Sequence, residues 1–187
     1  MQKGFFFDQS RCTGCDTCLI ACKDWHEYDL GTDPENWIRV STIEKGKYPD
    51  LSVAFLAQPC YHCDDPPCVS ACPVEAIAKR EEDGIVTVDR DACLGNTGCD
   101  TLCKTACPYD VPQFGPETDA KMQKCDLCLE RGKDGSAPIC VEACPMRALD
   151  AGPLDELMSK YGKIQEAEGF VYSREAKPSV VFKQKKQ

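Results

Sequence analysis

Sixteen of the 187 residues are cysteine, and they fall into four groups of four. The first is Cys12-x2-Cys15-x2-Cys18-x3-Cys22, and the second Cys60-x2-Cys63-x4-Cys68-x3-Cys72-Pro73. The third is Cys93-x5-Cys99-x3-Cys103-x3-Cys107-Pro108, and the fourth Cys125-x2-Cys128-x11-Cys140-x3-Cys144-Pro145. Every group closes on Cys-x3-Cys, and three of the four put proline directly after it. Thiolates in runs of this kind hold [4Fe–4S] clusters, and the fourth cysteine of a run ligates the other cluster of a pair. Three thiolates on a tight loop reach three irons of one cube. The fourth, on a short helical turn ended by proline, points away and serves a neighbouring cube. Zinc sites are closed four-ligand units, usually two pairs a dozen residues apart, and neither the compressed first group nor the repeated Cys-Pro follows that plan. The expected cofactors are four [4Fe–4S] clusters.

Disulfides are the other use of so many cysteines. Met1 to Asp8 contains only three consecutive apolar residues and no twin arginine, so the sequence carries no recognisable export signal there. Without export, disulfides would be reduced. No stretch approaches the ~20 apolar residues of a membrane span. The expected location is cytoplasmic, or on a membrane through a partner subunit, with co-export on a signal-bearing partner as a further route. The formal charge of −9 falls to about −17 if each of four clusters contributes a net −2. That excludes a nucleic-acid partner and favours one with a basic docking face. Leu, Ile, Val and Phe together number 36, too few for an ordinary hydrophobic core. Clusters must therefore supply much of the folding free energy, and the chain without them is expected not to fold. No glycine-rich nucleotide fingerprint and no spare thiol nucleophile is present, so the reading is a non-catalytic one.

The elements that position the groups follow from the linkers. Between Cys72 and Cys93, an apolar patch, the turn Glu82-Asp83-Gly84 and the alternating Ile85 to Val88 predict a β-hairpin. That is the linker of a two-cluster ferredoxin, so groups two and three pair, leaving groups one and four to pair around them. The nested sets are Cys12, Cys15, Cys18 with Cys144; Cys125, Cys128, Cys140 with Cys22; Cys60, Cys63, Cys68 with Cys107; and Cys93, Cys99, Cys103 with Cys72. Sequential pairing, one with two and three with four, is the alternative. It is weakened by the lack of a visible hairpin between Cys22 and Cys60, where Asp33-Pro34 and Gly46 to Pro49 read as breaks in an inserted connection. Gly4 to Asp8 should be a strand, Leu19 to Tyr28 a helix, Pro153 to Tyr161 a helix stopped by Gly162, and Ser179 to Phe182 a terminal strand. The expected fold is α+β: an outer ferredoxin-like module of residues 1–57 plus 115–150, an inserted module of residues 58–114, and a C-terminal strap of residues 151–187.

Four stretches then carry a resemblance: Arg11 to Cys15, Ala21 to Asp24, Met122 to Cys128 and Ile139 to Leu149. Together they resemble the iron–sulfur subunit of the dimethyl sulfoxide reductase family, with similar subunits in polysulfide and thiosulfate reductases and some tungsten aldehyde oxidoreductases. The resemblance covers the chain to about Phe182. It implies nested pairing, a molybdenum or tungsten pterin catalytic partner, and often a quinone-linked membrane subunit; a flavin-linked partner is a further variant. One departure is group three, where Leu94 to Gly98 and Asp100 to Leu102 stretch a run that the family keeps compact. A free-standing polyferredoxin serving several partners is the alternative function, and a zinc-stabilised interaction module a third. His26 and His62 read as structural or surface residues, since a Rieske-type centre needs two histidines on one iron. Trp25 reads as packing or an interface anchor. Lys79, Arg80, Lys121 and Lys124 would raise cluster potentials or dock a partner if they lie close, and otherwise read as solvated side chains.

Overall fold

The computed structural model describes residues 1–26 and 36–185. Its elements run β1 (Lys3–Asp8), α1 (Thr17–Trp25), β2 (Arg39–Lys47), β3 (Asp50–Gln58), α2 (Pro67–Ser70), β4 (Ile77–Lys79) and β5 (Val86–Val88). There follow α3 (Leu102–Ala106), α4 (Leu129–Lys133), α5 (Ile139–Ala143), β6 (Leu149–Pro153), α6 (Leu154–Tyr161) and β7 (Val180–Lys183). None of these helices is long and apolar enough to cross a membrane.

Three consecutive phenylalanines decide the arrangement of the outer layer. Successive side chains of a strand point to opposite faces, so Phe5 and Phe7 enter the main core while Phe6 faces the other way. There Phe6 stacks on Tyr161 of α6, ring centroids 3.6 Å apart, and packs with Leu157 and Val181. β1 lies in the middle of a three-stranded sheet, antiparallel to β6 and parallel to β7. The first and last strands of the chain are thereby neighbours. Asp155 and Glu156 in the first turn of α6 and Lys160 in its last turn complement the helix dipole. Gly162, at φ +93°, ends the helix as expected.

The hairpin between groups two and three is present, with β4 and β5 antiparallel and Ala78 opposite Thr87. Its turn docks on the N-terminus, where the Lys3 amide donates to the Asp83 carbonyl at 2.8 Å. The C-terminal segment also reaches the second group: the amides of Asp64 and Asp65 donate to the carbonyls of Lys177 and Ala176.

The segment before Cys60 corrects the sequence reading. The residues taken as breaks close a second hairpin, in which β2 and β3 pair antiparallel from Arg39↔Gln58 to Lys47↔Asp50 around a two-residue turn at Tyr48-Pro49. β2 is largely exposed, so its sequence has no apolar alternation to announce it. The ground on which sequential pairing was weakened therefore falls. Helix α1 ends at Trp25, short of the expected Tyr28; Glu27 and Tyr28 lie outside the described residues.

Candidate metal centres

Each cysteine group is built the same way. A loop carries the leading thiols and a short helix carries the penultimate one: Cys18 in α1, Cys68 in α2, Cys103 in α3 and Cys140 in α5. The last cysteine stands at or just past the helix end in groups two to four, where the following proline has no N–H to continue the ladder. In group one no proline follows and α1 continues, so Cys18 and Cys22, four residues apart, share its buried face. The loops hold residues in the left-handed region: Asp16 in the first, His62 in the second, Asp100 and Thr101 in the third, Leu127 and Cys128 in the fourth. Such turns point backbone N–H groups inward, which suits an anionic occupant. The Leu127 amide donates to Cys125 Sγ at 3.4 Å, and the Ala148 amide to Cys144 Sγ at 3.3 Å.

The last cysteine of each group faces the thiols of another group. Cys12, Cys15 and Cys18 line one cavity together with Cys144, walled by Phe7, Val40 and Leu149. Cys60, Cys63 and Cys68 line a second with Cys107, walled by Tyr61, Val111 and Lys124. After burial, the groups that most disfavour ionisation of Cys22 are Cys125 and Cys128, and those acting on Cys140 are Cys128 and Cys22. For Cys103 the neighbours are Cys99, Cys93 and Cys72. All sixteen thiols are free of disulfides. A roomy surface cleft, lined by Glu166, Phe170, Tyr172 and Lys185, is open to solvent and contains no cysteine.

Burial first, and neighbouring thiols second, push Cys18 up to about 12 and Cys68 up to about 12. Cys103 rises to about 11 for the same reasons. Cys22, Cys63, Cys125 and Cys140 are pushed further still, again chiefly by burial. Four thiolates in one dry cavity are therefore stable only around multivalent cations that neutralise them. Cys15 is the exception: it is exposed, and the Thr17 hydroxyl and amide lower its pKa. The donor chemistry fits iron–sulfur clusters, with thiolate ligands gathered in dry cavities and backbone amides directed at sulfur.

Comparison with known proteins agrees. A family described as "4Fe-4S dicluster domain" matches residues 51–154, and a second with the same description matches residues 11–76. The chain is 42% identical over 190 residues to the B subunit of anaerobic dimethyl sulfoxide reductase from Escherichia coli K12, covering 97% of this chain and 88% of that protein. This protein belongs to that iron–sulfur subunit family. It is also 44% identical to the corresponding B subunit of Haemophilus influenzae, over 86% of this chain and 78% of that protein. Protein NrfC of E. coli K12 is 37% identical, over 86% of this chain and 70% of its own length. The chain is thus a 4Fe-4S electron-transport subunit of the reductase type.

Within this dimethyl sulfoxide reductase-type subunit, the residues around the thiols are less solvated than their sequence suggested. His62 is fully buried: its Nδ1 accepts the Val86 amide at 3.0 Å, and burial, then the charge of Lys124, hold its pKa well below the usual value. His26 packs against Trp37, with centroids 4.4 Å apart, and its Nε2 stands 3.7 Å from Cys128 Sγ. Trp25 is half-exposed beneath the Arg131 guanidinium, 4.6 Å from the ring centroid. Lys79 is tied to Asp64 and Arg80 to Asp83. Lys121 donates to the Cys93 carbonyl at 2.8 Å. Lys124 departs most from expectation, being 3% exposed. The sequence signal that could have found it is its place directly before Cys125, where a ligand loop must be buried.

Proposed function

We propose that this chain holds four [4Fe–4S] clusters in two nested ferredoxin-like modules and relays single electrons to or from a molybdenum or tungsten pterin catalytic subunit. The ligand sets are Cys12, Cys15, Cys18 and Cys144; Cys22, Cys125, Cys128 and Cys140; Cys60, Cys63, Cys68 and Cys107; and Cys72, Cys93, Cys99 and Cys103. The observation that carries this reading is that the closing cysteine of each group faces the thiols of another, one with four and two with three. When bound, each cube accepts and returns one electron. The chain's own residues hold the thiolates, keep water away and direct amides at sulfur. Residues 58–114 form the inserted module, residues 1–57 with 115–150 the outer one, and residues 151–187 the strap, which the pairing of β7 with β1 supports.

The relatives' name, that of a reductase chain, supports a catalytic partner. A reductase has a catalytic subunit that turns over the substrate, and the iron–sulfur subunit conducts. A quinone-linked membrane subunit or a flavin subunit stands at the other end of the relay. The test is reoxidation: the anaerobically reduced chain is mixed with an oxidised substrate of the complex, with and without the pterin subunit. Rapid bleaching only when the pterin subunit is present supports the relay. Equal rates without it would contradict the proposal.

A further inference from the structure

Lys124 carries its ammonium group into the interior. Among the described residues, its Nζ donates to the Cys125 carbonyl at 3.0 Å and to the Val86 carbonyl, and no Asp or Glu forms an ion pair with it. It lines the cavity of Cys60, Cys63, Cys68 and Cys107. The same peptide unit that accepts from Lys124 lies beside the one that donates to His62, so lysine and histidine grip Val86 of β5 from two sides. Removing a cation from water is costly unless an opposite charge repays it. The groups that supply negative charge here are thiolates: Cys60, Cys63, Cys68 and Cys107 line the same cavity as Lys124. The backbone of Lys124 belongs to the fourth group's loop while its head faces the second group's thiols. These two sites adjoin, since Cys60 is the foremost thiol acting on Cys125.

We propose that Lys124 raises the reduction potential of the cluster held by Cys60, Cys63, Cys68 and Cys107, so that this cluster draws electrons across the junction between the two modules. The inference rests on the ligand sets proposed above. Adding one electron to a cube adds one negative charge, and a fixed positive charge in a low-dielectric interior favours that reduced form. The electron comes from a neighbouring cluster and leaves to the next; no proton is transferred.

The experiment is an EPR-monitored redox titration of the anaerobically isolated complex carrying Lys124→Met, Lys124→Gln or Lys124→Arg, with iron measured on the same samples. The signal of the cluster in question is the one lost in Cys63→Ser. In the neutral variants its one-electron reduction equilibrium should fall by about tenfold or more, about 59 mV, while the other three clusters hold steady. Lys124→Arg should stay within about threefold of the parent, because it keeps the charge. Iron-replete neutral variants with unchanged potentials would overturn the role of Lys124. Fewer than four cubes in the parent would instead overturn the ligand sets. Should both neutral variants fail to load iron, the parent labelled with 15N-lysine supplies the readout. A lysine nitrogen coupled to the reduced cluster of group two supports the proposal, and its absence refutes it.

Discussion

Truncating Phe182 to alanine should open the three sites whose thiols lie in or against its core and spare the site of Cys72, Cys93, Cys99 and Cys103. Phe182 is fully buried on β7, directly beside Phe7 of β1 in the parallel register. Its ring lies 4.7 Å from Phe170 and edge-on to Phe7 at 6.5 Å. It shares one core with Cys18, Cys22, Cys60, Cys125, Cys140 and Cys144, against which Cys12, Cys63 and Cys107 pack. Cys68, Cys93 and Cys103 sit in a separate core with Ile77, Val86 and Met122. Removing a buried phenylalanine ring costs about 3–5 kcal/mol in lost transfer energy and residual cavity. If the thiolates of this core escape by its local opening, that cost accelerates opening by roughly 10²–10⁴-fold, at ~1.4 kcal/mol per decade. The assay is anaerobic iron release to excess chelator, with each cluster followed by its EPR signal. Early loss of the other three clusters, with the cluster of Cys72, Cys93, Cys99 and Cys103 retained, is the expected result. Equal acceleration of all four, or a rate within about threefold of the parent, would refute the two-core reasoning.

The remaining perturbations bear on single loops and on the cofactor as a whole. Cys144→Ser should alter the same EPR signal as Cys12→Ser, and Cys22→Ser the same signal as Cys125→Ser; Cys144→Ser matching Cys125→Ser instead would contradict the nested pairing. Gly14 stands at φ +68° between Cys12 and Cys15, and a Cβ there would collide with the Phe55 ring. Gly14→Ala should therefore cost at least ~1–2 kcal/mol and destabilise the first site alone, seen as selective loss of its signal on mild heating. Stripping the iron with chelator under denaturant should leave a chain that gives no cooperative thermal transition by circular dichroism, because much of its buried interior is cysteine. A sharp transition in the iron-free chain would show that the polypeptide alone suffices.

What the sequence made legible was whatever repeats or alternates. The four cysteine groups, the Ile85 to Val88 strand and the helix between Pro153 and Gly162 all carry local signals of spacing, period or end-residue chemistry. β2 did not, because Arg39 to Lys47 is mostly exposed and carries Gly46 at φ +88°, so it mimics a broken linker. The register of β1 between β6 and β7 is a long-range pairing that local pattern cannot encode. Lys124 stayed open between two readings for a related reason. Lysine is solvated by default, and only the joint placement of Val86, Cys125 and the second group's thiols shows it to be interior. The left-handed residues Leu127 and Cys128 were equally hidden, since neither is a type that favours that conformation.

The metal content of the native, anaerobically isolated complex containing this chain tests the four-cluster relay at its root. About sixteen irons per copy of the chain, with molybdenum or tungsten co-eluting, are expected. Zinc in place of iron would contradict the clusters themselves. A full complement of iron with neither molybdenum nor tungsten would contradict the pterin partner.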